Sequence, residues 1–121
     1  QHRGVIMEKY MIKNMKEFIT ISYTTKALYA KVKKDYGLTY EELFILNFIH
    51  EHRLSCYNVK DIISASSFKP YYITKAVQKL KDFNYLSKRR NEKDERTVII
   101  EVSDEQFQKI DQLFSEIEAL F

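Results

Sequence analysis

Two glycines and one proline serve a chain of 121 residues, and so few breakers imply a mostly helical fold with short connections. The lone proline is therefore a marker. Pro70 stands in "SSFKPYYITKAVQKLKDF", where it suits the first position of a helix with Lys69 as cap residue, because that position needs no backbone N–H. Phe68 before the cap and Ile73 at the fourth helical position form a hydrophobic staple. The helix, from Pro70 to about Phe83, buries Ile73, Ala76, Val77 and Leu80. Its outer side shows Tyr71, Thr74, Lys75, Gln78 and Asp82, with Lys79 and Lys81 flanking. A brief helix through Val59, Ile62 and Ile63, capped by Asn58, precedes it across a Ser-Ser turn. The two make a helix-turn-helix over about residues 58–83.

The flanks follow from capping and periodicity. One long helix is expected from about Met7 to Asp35, with Met11, Met15, Phe18, Ser22, Leu28, Tyr29 and Val32 near one stripe and Gly37 as its stop. "TYEE", from Thr39, is a capping box. The helix it opens, ending near His52, carries Leu43, Phe44, Ile45, Leu46, Phe48 and Ile49 and should be the central buried one. "LSCY", Leu54 to Tyr57, suits a very short strand. "NYLSKR" and "TVIIEV" read as two strands joined by a loop from about Arg90 to Glu95. "SDEQ", from Ser103, caps a last helix. Residues 1–6 look like a processed or non-native end, with Met7 as the natural start and 7–121 as a single domain.

A helix-turn-helix followed at once by a hairpin is a winged helix: mainly α with a small β-hairpin wing, an α+β fold. The Lys69–Phe83 segment would enter the major groove of DNA, and the wing, about residues 84–102, would reach the backbone or the minor groove. Residues 67–90 hold seven cations against Asp82 alone, whereas residues 103–121 hold five acids against Lys109. That polarisation points the basic region at phosphate. The expected contacts are Lys69, Tyr71, Thr74, Lys75, Gln78 and Lys79 on the helix, and Lys88, Arg89, Arg90, Lys93 and Arg96 on the wing. Tyr72 suits contact or core equally. Asp94 and Glu95 cannot favour phosphate themselves. An Asp two residues before an Arg in a tight loop can accept loop amides and hold the guanidinium, so these acids are expected to orient the wing.

"DERTVIIEVS" resembles the wing of MarR-type winged-helix regulators, with Asp94, Arg96, Thr97, Val102 and Ser103 at the signature positions. "KRRNEKDERTV" together with "FKPYYITKAVQKLKD" resembles, more narrowly, the staphylococcal accessory regulator (SarA-like) family, over about Met7 to Phe121. The resemblance implies a homodimeric cytoplasmic regulator of virulence genes, acting as repressor or activator on A·T-rich promoter DNA. It maps the wing's DNA-contacting arginines onto Arg90 and Arg96 and the acidic pair onto Asp94 and Glu95. Several members carry their single cysteine in the first helix; here the single Cys56 lies before the helix-turn-helix.

The terminal helices have more apolar surface than one small lobe needs. Ile12, Ile19 and Tyr23 on the first helix, and Leu113, Phe114, Ile117, Leu120 and Phe121 on the last, are assigned to a homodimer interface. Other function classes find little support. His50 and His52 lie two apart on a helix and diverge, so no metal site with Cys56 is expected. Glu41 and Glu42 are cap residues, no nucleophile–base arrangement or glycine-rich phosphate loop is present, and neither enzyme nor cofactor is expected. No apolar run reaches the roughly 20 residues that span a bilayer. The rival readings are a winged-helix protein-interaction module without DNA binding and a ligand-responsive MarR-type repressor. The outward Tyr71, Thr74, Lys75, Gln78 and Lys79 speak against the first, because such modules favour acidic or apolar faces. Nothing in the sequence names an effector.

Overall fold

The computed structural model describes residues 12–121; Met7, Met11 and residues 1–6 lie outside them. The elements are α1 (Met15–Tyr36), α2 (Tyr40–His52), β1 (Cys56–Asn58), α3 (Val59–Ala65), α4 (Pro70–Asp82), β2 (Ser87–Arg90), β3 (Val98–Glu101) and α5 (Asp104–Glu118). The chain falls into two compact units that divide after Gly37.

In the first unit, α1 begins later than the expected helix. Asn14 is extended and accepts from the Glu17 amide at 2.9 Å, while the Glu17 carboxylate accepts from the Lys13 amide at 3.1 Å. The first bond satisfies one of the free amides of the opening turn and the second ties the preceding residue to it, so the helix starts at Met15. The stripe through Met15 and Phe18 is not a core: both are exposed, and Val32 is the buried residue of α1. The helix ends where expected, at Gly37 in the left-handed region (φ 72°), whose amide donates to the Lys33 carbonyl.

In the second unit, α2 is the central helix. Ile45, Leu46 and Ile49 are fully buried and join Leu38, Ile62, Ile73, Leu80, Leu86, Ile100 and Ile110 in one core. Its other apolar residues are used at the edges: Phe44 meets Phe68 edge-on at 5.8 Å, and Phe48 stacks on His52 at 4.1 Å. Phe68 also packs on Tyr40 at 5.4 Å, so the residue before the α4 cap position reaches α2. The α2 C-terminus is tied to α5 by Arg53, which sits in the left-handed region (φ 53°) and grips Asp111 with two bonds of 3.1 and 2.9 Å. His50 Nδ1 lies 3.0 Å from the same carboxylate. The Arg53 guanidinium, then His50, hold the Asp111 carboxyl below its usual range. Tyr57 is buried, donates its hydroxyl to the Ile49 carbonyl at 3.2 Å and accepts from the Leu54 amide at 2.6 Å.

The sheet has three antiparallel strands in the order β1-β3-β2, one more than a simple hairpin. Tyr57 and Lys88 both oppose Ile100, and Arg90 opposes Val98. Neighbours along a strand alternate faces and direct partners share one, so Tyr57, Ile100, Val98, Lys88 and Arg90 share one face. Arg89, with Ile99 and Glu101, lies on the other. Ser103 then caps α5 by the expected box, exchanging bonds of 3.1 and 3.0 Å with Gln106. No helix among the described residues is long and apolar enough to cross a membrane.

Candidate nucleic-acid interface

The helix-turn-helix forms from local chemistry. Asn58 accepts from the Lys60 amide at 2.9 Å and starts α3. Ser66 ends it, donating its hydroxyl to the Ile63 carbonyl at 2.9 Å and accepting from the Phe68 amide at 3.2 Å. Pro70 opens α4. Ile73, Ala76, Val77 and Leu80 are buried as a set, which turns Tyr71, Thr74 and Lys75 to solvent. Lys69 and Tyr72 are exposed too, and Tyr71 and Tyr72 meet edge-on at 5.5 Å. Gln78 is half-buried and donates to Asp82 at 2.9 Å. Lys79 differs from the rest: its ammonium is 3.1 Å from Glu42 on α2 and 5.6 Å from the centre of the Phe83 ring.

The wing is a seven-residue loop between β2 and β3, closed by its own polar groups. The Asn91 amide donates to the Thr97 carbonyl at 3.1 Å, and the Thr97 amide donates to the Asp94 carbonyl at 3.0 Å. The Asn91 side chain accepts from the Lys93 amide at 3.0 Å and donates to Thr97 Oγ1 at 3.0 Å. Asp94 Oδ1 accepts from both the Arg96 amide at 3.2 Å and Arg96 Nε at 3.1 Å. Those two bonds, side chain first, hold the Asp94 carboxyl below its ordinary range. The Arg96 side chain is nevertheless 91% exposed. It is held at its base and presented at its tip.

The other wing residues divide unexpectedly. Arg90 donates to the Glu95 carbonyl at 2.8 Å, so at Glu95 it is the backbone that orients the wing in this geometry. Lys93 is exposed at the loop. The run Lys88-Arg89-Arg90 is not one cluster. Strand alternation puts Lys88, half-buried, on the Ile100 side with Arg90, whereas Arg89 pairs with Glu101 at 3.0 Å on the opposite face. That bond raises the Arg89 pKa further.

The terminal residues are equally divided. Ile19 and Tyr23 are exposed, the latter 75%. Ile12, Phe114 and Ile117 are half-buried, and Leu120 and Phe121 are exposed. Phe114 packs on the His50 ring at 4.9 Å. Leu113, at 4% exposure, is a core residue of its own lobe and has no surface for a partner. His50 and His52 diverge as expected, to Asp111 and to the Phe48 carbonyl. Among the described residues no cluster suited to a metal ion exists.

A helix-turn-helix flanked by a three-stranded sheet, with a cation-bearing loop at its tip, defines a winged helix of the regulator type. The fold is shared with solved structures: reduced AbfR bound to DNA (TM-score 0.71, 18% identity, 100% of this chain and 80% of that one) and MarR (TM-score 0.68, 16% identity, 83% and 73%). The family described as "Transcriptional regulator SarA/Rot" matches residues 27–113. The HTH-type transcriptional regulator SarR of Staphylococcus aureus (strain USA300) is 43% identical over 107 residues, 88% of this chain and 93% of that protein. The chain belongs to the SarA/Rot family of transcriptional regulators, a family of DNA-binding proteins rather than enzymes.

Proposed function

We propose that the protein acts as a homodimer on A·T-rich promoter DNA in the cytoplasm, with α4 in the major groove and the wing in the minor groove. The observation that carries this reading is the pair Asp94–Arg96: a guanidinium fixed at Nε by its own loop acid, on a side chain that is 91% exposed. A narrow A·T minor groove concentrates negative potential and suits an inserted arginine. Arg90, the last residue of β2, is braced on the Glu95 carbonyl of the loop and keeps further N–H donors for phosphate. On α4, Tyr71, Thr74 and Lys75 form the outward face, with Lys69 at its N-terminus.

The dimer reading is supported by the exposed apolar side chains of Met15, Ile19 and Tyr23 on α1 and by Leu120 and Phe121 beyond α5. Twofold symmetry would present two α4 helices and two wings to successive turns of one duplex. The test is duplex binding measured over a range of salt. With four cations per protomer on phosphate, the slope of log K against log salt should be about −7. A slope near −2 would overturn the phosphate-driven reading and leave the basic face as solvated surface.

A further inference from the structure

We propose that Lys79, although it lies on the DNA-reading helix and is basic, is a positioning residue: with Glu42 it forms a strut that sets the angle of α4 against α2. The proposal rests on the DNA-binding reading and assigns one of its cations a different task.

Four observations carry it. The Glu42 side chain is only 8% exposed, so its charge must be compensated where it stands. Its Oε1 accepts from the Thr39 amide at 2.7 Å and from Thr39 Oγ1 at 2.9 Å. Glu42 is thereby part of the α2 cap and cannot swing away without uncapping that helix. The third partner of the same oxygen is Lys79 Nζ, at 3.1 Å. The Lys79 side chain is 35% exposed, and its ammonium also faces the Phe83 ring at 5.6 Å. Lys79 is therefore turned back along its own helix towards the lobe. Moving it to a phosphate would leave a nearly buried carboxylate without its counter-charge.

Position matters here more than strength. Ile73, Ala76, Val77 and Leu80 fix α4 through an apolar stripe, which resists separation but tolerates small rotations about the helix axis. A directional contact on the flank, from the third turn of α4 to the first turn of α2, removes that freedom. The outward Tyr71, Thr74 and Lys75 are then held in one register. A base-reading helix needs that, because a misplacement of about 1 Å breaks bidentate contacts.

The experiment uses the full chain and two probes: the duplex that the wild type selects from a random-sequence pool, and the unselected pool itself. Lys79→Met, Glu42→Gln and the double variant E42Q/K79Q are titrated over salt, with circular dichroism to establish folding. If Lys79 is a strut, Glu42→Gln lowers the preference for the selected duplex about tenfold although it removes an anion. Lys79→Met does the same with an unchanged salt slope, and the double variant, whose amides can bond each other, recovers most of the preference. If Lys79 contacts phosphate, Lys79→Met reduces the slope by about 2 for the dimer, and Glu42→Gln binds as well as the wild type or better. Either of these two results overturns the proposal. Should a single variant fail to fold, the double variant decides alone: it lacks the Lys79 charge but leaves no buried charge unpaired, so a wild-type slope supports the strut and a slope lower by about 2 refutes it. A wild-type slope near zero would be a failure of the DNA-binding reading itself, distinct from either outcome.

Discussion

Asp94→Ala separates an orienting acid from an ordinary loop acid. Charge counting alone says that removing an anion from a DNA-facing loop should tighten binding. The structure predicts the reverse. Asp94 Oδ1 carries both bonds that define the base of Arg96, one to its amide and one to Nε. Without them the Arg96 side chain regains its rotamers, and fixing it again on DNA costs affinity. The cost of immobilising such a side chain corresponds to about 2- to 12-fold in affinity per protomer. The Asp94 carbonyl still accepts from Thr97 in the variant, so the loop should keep its closure. Fluorescence anisotropy with a labelled duplex at fixed salt would measure the loss, and the salt slope should not change, since every cation remains. The pH dependence has a defined sign. The folded Asp94 pKa is depressed, so its contribution is complete above the ordinary carboxylate pKa and is lost as pH falls through the lower folded value. Around neutral pH wild-type binding should not respond to this group, and its carbon-detected titration should fall below that of an ordinary aspartate. If the variant folds normally and binds DNA more tightly, the orienting argument is refuted.

Arg90→Ala and Arg96→Ala should each weaken binding by about 1–3 kcal/mol, with Arg96→Lys a partial rescue because an ammonium cannot reproduce the Nε bond to Asp94; full rescue by lysine would show that only charge matters. Leu120→Asp should dissociate the dimer without unfolding the lobe, since Leu120 is exposed whereas Phe114 packs on His50; a monomeric wild type in sedimentation at micromolar concentration would remove the premise. Tyr57→Phe should cost about 1–3 kcal/mol in denaturant unfolding, because it leaves the Leu54 amide and Ile49 carbonyl without the hydroxyl between them; an unchanged midpoint would mean that water replaces it.

What the sequence determined by itself was local. The turn before Pro70, the Asn58 and Ser103 caps, the Gly37 stop and the buried stripe of α4 involve partners within four residues or a helical period, and all stand as read. The Asp94–Arg96 bond is of the same kind, two residues apart, and the loop's composition predicted it. Asn14 with Glu17 is a local cap as well, and it sets the start of α1 at Met15. What only the tertiary structure decided was which cations are paired with an acid. Lys79 and Glu42 are remote in sequence, as are Arg53 and Asp111, and composition counts each as a surface charge until packing brings it to its counter-ion. Likewise "KRR" is one basic run on paper. Register against β3, set by burying Ile100, sends Arg89 to Glu101 and the other two to the opposite face, because side chains on a strand must alternate.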